Sequence, residues 1–249
     1  MRIVSLAVVA AALAACGGSS SNKDSGVDTS CGFDCAAQQR FGLIAGRCFE
    51  YTDTGGAVTP PSLGVKVLPL TTLEQGFKVI QLEYRQTGQP KMLDSFAIKG
   101  DALVHVRREA TGGQTTTYLN ASNELTGVTW LTTGATGGET FTTQGSAQVS
   151  NAPGNRVDTN TTYTMSTNAA SPSQLSVPLK KYDNGIEMLV AETPEHFYDP
   201  QRIFVPDVGF VRFTTTFGQS GSSVTYRLQA ARDLKLADGG MGNECGNGG

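Results

Sequence analysis

Short alternating segments separated by glycine-rich breaks constrain this chain more than any other feature, and they run on from Gly64. Phe77-Lys78-Val79-Ile80-Gln81-Leu82-Glu83-Tyr84-Arg85 mixes apolar and charged residues as a strand does. Met92–Ile98 and Ala102–Arg108 flank Lys99-Gly100-Asp101, a turn cluster that predicts a hairpin. Simple alternation puts Leu103, His105 and Arg107 on one face of the second strand and Val104, Val106 and Arg108 on the other. Gln114–Leu119, Thr126–Thr133 and Glu139–Val149 are rich in Thr, and between Glu109 and Arg156 the only charged residues are Glu124 and Glu139. Threonine is β-branched and suits a pleated surface. Gly112-Gly113 and Gly137-Gly138 punctuate these segments as hairpin loops do.

Further strands are expected at Asn160–Ala169, at Ile186–Val190 after an Asp183-Asn184-Gly185 turn, within Arg202–Phe213, and at Val224–Leu236. Pro194–Pro200 reads as a loop. No stretch of comparable length has a helical period. The expected fold is mainly β: a single antiparallel meander, curled into a half-barrel or sandwich-like, with one short disulfide-stapled N-terminal helix.

The N-terminus is different. Arg2 supplies a positive charge, Ile3–Leu13 is apolar apart from Ser5, and small Ala14 and Ala15 precede Cys16. This pattern reads as a secretory signal, too short for a transmembrane helix. Leu13-Ala14-Ala15-Cys16 resembles the lipobox of bacterial lipoproteins. The resemblance implies cleavage before Cys16 and lipidation of its sulfur with diacylglycerol, usually with an added N-acyl chain. Several acyl chains anchor stably, at about 0.8 kcal/mol per buried methylene. Gly17 stands where an Asp would imply retention at the inner membrane, so the resemblance implies an outer-membrane lipoprotein of the cell envelope. An ordinary signal peptide cleaved elsewhere is the alternative.

The expected organisation is a signal peptide over 1–15, a lipidated flexible tether over 16–30, a Cys-rich helix and loop over 31–62, the antiparallel β-domain over 63–236 and a Gly-rich tail with Cys245 over 237–249. In the third segment, Asp34 is placed to cap a helix reaching Phe41, with Gly42 as its stop. Such a helix reads as a plug at one end of the sheet.

Export would put Cys31, Cys35, Cys48 and Cys245 in an oxidising space, where an even count reads as two disulfides. Three pairings are open; the preferred one is Cys35–Cys48 with Cys31–Cys245. A zinc site is the rival reading, but the Cys-x3-Cys-x12-Cys spacing matches zinc knuckles poorly.

Val177-Pro178 and the later Pro206-Asp207-Val208-Gly209-Phe210-Val211 motif lie within Ser176–Leu234. This region is similar to the C-terminal part of exported β half-barrel proteins carrying a Pro-x-Val-Gly-x-Val motif. The resemblance implies a curled sheet in which Pro-Asp-Val-Gly turns the chain into its next strand. It implies no catalytic residue, and Gly209 reads as serving close packing or a bulge.

The chemistry-bearing residues are few. His105 and His196 are the only histidines, so any Ser-His-Asp arrangement must use one of them. His105 reads as a sheet-face side chain. His196, in Glu195-His196-Phe197-Tyr198-Asp199, lies beside two carboxylates and is the better candidate for catalysis. There is no Gly-x-Ser-x-Gly elbow, His-Glu-x-x-His pair, phosphate loop or dinucleotide fingerprint. No catalytic, metal or cofactor residues are therefore assigned, and no cofactor is expected. Trp130 reads as a core residue, sharing a face with Val128 and opposite Thr129 and Leu131. The formal net charge is −3 without clustered Lys and Arg, which speaks against a nucleic-acid partner.

The expected function is a non-enzymatic, lipid-anchored cell-envelope protein with a scaffolding or binding role at the outer membrane. Its expected partners are the membrane, through the Cys16 lipid, and an envelope protein or a hydrophobic ligand. Carriage of a hydrophobic ligand in the curled sheet, or an envelope hydrolase using His196, are the alternatives.

Overall fold

The computed structural model describes residues 33–53, 63–86, 91–110, 113–150, 161–169, 173–193, 201–215 and 224–233, together with Cys245. Cys16, Cys31 and His196, the signal and tether segments, and the Pro194–Pro200 loop lie outside the described residues, as does the tail apart from Cys245.

One helix, α1 (Cys35–Arg40), precedes fifteen strands: β1 (Arg47–Asp53), β2 (Leu63–Val67), β3 (Thr71–Thr72), β4 (Lys78–Arg85), β5 (Met92–Lys99), β6 (Ala102–Ala110), β7 (Thr115–Leu119), β8 (Val128–Thr132), β9 (Thr140–Ser150), β10 (Thr161–Ala169), β11 (Ser173–Ser176), β12 (Lys181–Thr193), β13 (Gln201–Val205), β14 (Gly209–Thr215) and β15 (Val224–Asp233). A 3-10 turn, Glu74–Gly76, lies between β3 and β4. All the strands belong to one antiparallel sheet, in the order β10-β9-β7-β6-β5-β4-β2-β1-β15-β14-β13-β12-β11. β3 is added beside β4 and β8 beside β6. β12 also pairs with β10 over Thr164–Ala169, so the curl returns on itself. The mainly-β, single-sheet expectation holds.

The curl creates an inner and an outer face. Inside lies the main core, which includes Tyr51, Phe96, Trp130, Phe204, Phe210 and Phe213. Outside, Val79, Ala97, Val104, Val106, Leu119 and Leu125 form a second cluster, packed against Leu73 and Phe77. β5 and β14 are far apart in strand order, yet their inner faces touch: Phe96 lies 6.4 Å from Phe210 of β14, and Trp130 of β8 lies 5.8 Å from Phe210.

α1 closes one end, as the plug reading expected. The Asp34 side chain accepts hydrogen bonds from the backbone N–H of Ala36 at 2.9 Å and of Ala37 at 3.4 Å, satisfying donors that the first turn leaves open. Ala37 and Phe41 point into the core. Arg40 ties the plug to two strand connections: its Nε donates to the Thr133 carbonyl, its carbonyl accepts from Asp207 N–H at 2.8 Å, and its guanidinium pairs with the Asp207 carboxylate at 3.2 Å. Gly42 ends the helix at φ +71°, and a Cβ there would lie 2.3 Å from the Val208 carbonyl oxygen. Gly42→Ala is therefore expected to destabilise by about 2–4 kcal/mol, from left-handed strain plus backbone overlap. Urea unfolding with an unchanged m-value measures this.

Three expectations are corrected. The preferred disulfides do not form: Cys48 pairs with Cys245, a separation of 197 residues, with 5.7 Å between their Cα atoms. Cys35 is also disulfide-bonded, to a partner outside the described residues. Cys48, the second residue of β1, is wholly buried, and its sulfur bonds Cys245 and not the Cys35 of the plug helix. The sheet also begins before residue 63. β1 lies in the segment read as helix and loop, and it pairs with both β15 and β2. Its Phe49 and Tyr51 alternate into the core, a short signal obscured by the neighbouring cysteines. Finally, Asp183-Asn184-Gly185 lies within β12, where the pairing with β11 shifts register. The reversal is at Val177–Lys180, where Val177 N–H donates to the Lys180 carbonyl. Asn-Gly tolerates bulged backbone as readily as a turn.

Candidate functional site

The most unusual chemistry lies inside the sheet. Asp94 of β5 and His105 of β6 have no exposed side-chain surface, Arg202 of β13 is 1% exposed, and Arg108 of β6 is 11% exposed. Buried charges are costly unless paired, and Asp94 is the pairing centre. Arg108 grips it bidentately, with Nε to Oδ1 at 2.7 Å and Nη2 to Oδ2 at 2.9 Å. His105 Nε2 lies 3.2 Å from Oδ1. Across the interior, Arg202 Nη2 lies 3.9 Å from Oδ2.

A β-bulge builds this group. In the β5–β6 ladder, Phe96 pairs with His105 and Ser95 with Arg107, so Val106 is an extra residue. Val106 and Arg107 both face outward, where Val106 joins the outer cluster and Arg107 pairs with Glu74 and Glu109. The inward face resumes at Arg108. The strict alternation that separated His105 from Arg108 is overturned: both reach Asp94, because a bulge shifts the side-chain phase by one residue.

Two more bulges furnish the opposite wall and the aromatic floor. In β13–β14, Phe204 pairs with Phe210 and Ile203 with Arg212, so Val211 is extra and Phe210 and Phe213 both point inward. In β6–β8, Trp130 is extra, so Leu131 joins Val128 and Trp130 in the main core and does not face away from them. Trp130 is a core residue, as expected. Its ring also lies 4.7 Å from the Arg202 guanidinium, which faces Phe210 at 5.3 Å and Phe213 at 5.5 Å. Such cation–π contacts stabilise a desolvated guanidinium by about 2 kcal/mol.

The charge states follow from the neighbours. Burial pushes the Asp94 carboxyl up, but Arg108 and His105 outweigh it and hold it well below the usual carboxylate range. Burial is the largest influence on His105 and lowers its pKa, against the opposing pull of Asp94. His105 is thus neutral near pH 7. Ionised Asp94 can only accept, so Nε2 of His105 carries the proton. Burial also raises the Tyr84 hydroxyl, which stays protonated beside Asp94 and Arg202.

Asp94, Ser95 and His105 are the residue types of a hydrolytic triad, but the geometry is wrong. Ser95 faces outward and its hydroxyl meets Gln81 at 3.2 Å, so it is not placed for the imidazole to activate. Asp94 and His105 are enclosed by Phe96, Tyr118 and Trp130. This constellation ties two walls together.

No site residue assigned from sequence lies in this cluster. Alternation makes His105 an ordinary sheet-face residue and sets Arg108 on the opposite face, and it gives Asp94 and Arg202 no role. The available signal was a run of charged residues inside apolar strands. Among the described residues, no group of His, Cys, Asp and Glu is arranged to hold a metal ion, and no helix is long and apolar enough to cross a membrane.

Two spaces adjoin the structure's plug end. A small void of about 10 Å³ lies just past the end of α1, between Phe41, Phe49, Tyr84 and Phe213. An open groove of about 340 Å³ lies outside, lined by Arg47, Leu179, Lys180, Tyr182, Val208 and Ala231 among others. Among the described residues, Leu179 and Leu189 are the large apolar side chains that are exposed. No protein-family model matches this chain, and neither a curated protein nor a solved structure shows a significant match to it.

Proposed function

We propose that this chain is a lipid-anchored cell-envelope protein with a non-enzymatic scaffolding or binding role at the outer membrane. The signal-like N-terminus and Leu13-Ala14-Ala15-Cys16 support the anchor and the compartment. The observation that favours scaffolding or binding over carriage is the interior, which is filled among the described residues. Trp130, Arg202, Tyr51, Tyr118 and Phe96 occupy the concave side of the sheet, and the void beside them holds about 10 Å³. An acyl chain needs hundreds of cubic ångströms. The body is best read as a rigid module presenting its outer surface, on which the groove beside Leu179 offers apolar contact flanked by Arg47 and Lys180.

Metabolic labelling with a palmitate analogue, followed by intact-mass analysis, tests the anchor. Label and membrane association are expected in the native chain and are lost in Cys16→Ser; an unlabelled native chain defeats this part. Solvent extraction of the purified protein and mass spectrometry test the role. A hydrophobic molecule recovered at one per chain would favour the carrier reading instead. Crosslinking in intact cells and pull-down of the lipidated form would then identify what the module holds.

A further inference from the structure

We propose that the Asp94 cluster is an acid-sensitive latch between the two walls of the curled sheet, released by protonation of His105 and Asp94. The latch rests on the packing inside the sheet and is independent of the lipid anchor.

The geometry carries it. Asp94 is the shared acceptor for groups on both walls: Arg108 and His105 on β6 beside it, and Arg202 on β13 opposite. Within a wall, neighbouring strands are held by backbone ladders. Between the walls at this point, contact is made by side chains: the Asp94–Arg202 pair and the stack of Arg202 on Trp130, with Phe210 against Phe96 and Trp130. Tyr51 of β1 and Tyr84 of β4 also face the group, as does Tyr118 of β7, whose ring lies 5.7 Å from His105. These hydroxyls remain neutral in acid. Arg107 and Arg212 face outward, paired with Glu74 and Glu187. Among the described residues, the charged groups that respond together are thus Asp94, His105, Arg108 and Arg202.

With His105 neutral, one carboxylate faces two guanidiniums, an excess of one positive charge. Protonating His105 adds a second, and protonating Asp94 adds a third while removing the shared acceptor. The new repulsion runs between β6 and β13, across the interior and not along a ladder. His105 resists protonation while buried, so proton uptake and wall separation are coupled.

Trp130, the chain's single tryptophan, lies in the stack and reports on it. In a pH titration of the full chain, acrylamide quenching of Trp130 should rise at a higher pH than loss of the far-ultraviolet strand signal. His105→Gln keeps a donor to Asp94 but cannot titrate, and should move the quenching midpoint at least about half a pH unit lower. Coincident quenching and strand loss in the native chain, or a midpoint unchanged in His105→Gln, would overturn the latch. Should that variant fail to fold, imidazole resonances of the native chain decide. The His105 signal should change in step with Trp130 quenching; a His105 that titrates while Trp130 stays shielded defeats the proposal.

Discussion

Asp94→Asn is expected to destabilise the protein by about 3–5 kcal/mol, the loss typical of removing one partner from a buried charge pair. The amide is nearly isosteric, so packing changes little. What changes is that Arg108 and Arg202 lose the carboxylate that balances them. Urea unfolding near pH 7 measures the loss as a lower midpoint at constant m-value. A drop below about 1 kcal/mol would mean that the aromatic stack alone compensates the guanidiniums.

The same variant should flatten the acid side of the stability profile. Asp94 has a folded pKa below its unfolded value, so its contribution is present above the usual carboxylate range of about 4 and is lost as pH falls through the folded value. His105 also has a folded pKa below its unfolded value of about 6.5. Below that pH the unfolded chain binds a proton that the folded chain does not. Native stability should therefore fall on acidification from about pH 6.5, with a limiting slope of about 1.4 kcal/mol per pH unit for one proton. In Asp94→Asn the carboxylate part of this dependence is absent.

The second large effect concerns the disulfide. Replacing Cys48 and Cys245 together with Ala is expected to cost about 2–5 kcal/mol, the usual range for a native bridge. The bridge joins residues 197 apart, and a loop of that length removes much entropy from the unfolded chain. It also holds buried Cys245 against the start of β1, where its sulfur lies 3.8 Å from the Phe49 carbonyl oxygen. Thermal and urea unfolding of the double variant and the native chain, each oxidised and fully reduced, measure the effect, because Cys35 also forms a disulfide. Equal stability of the two reduced proteins would assign the loss to the crosslink itself; a less stable reduced variant would reveal a packing contribution from the sulfurs.

Much of the strand plan was legible because it is local. The hairpin at Gly100-Asp101 stands between β5 and β6 as the turn residues require, and the Thr-rich middle forms β7, β8 and β9. Asp34 caps α1 for the same reason: a side chain satisfies backbone donors two and three residues away. β1 was harder to read, since its seven residues include Cys48 and gain their strand character from pairing with β15, far along the chain. The cysteine pairing was open for a similar reason, because spacing does not report which sulfurs meet in space.

The charged cluster was illegible for a more specific reason. Alternation assigns His105 and Arg108 to opposite faces, and Phe210 and Phe213 likewise. One extra residue in each ladder, Val106 and Val211, reverses this. A bulge is decided by the fit between two strands and by what their inner faces must pack, so one strand's sequence does not show it. The amino-acid pattern by itself determined a β-rich body and a capped helix, since each rests on short-range preferences, and the even count of cysteines after Cys16 pointed to disulfides without their pairing. Only the tertiary structure decided that Asp94, His105, Arg108 and Arg202 meet, because that meeting depends on the Val106 bulge and on β5 and β13 facing each other across the interior, with the Val211 bulge bringing Phe210 and Phe213 onto Arg202.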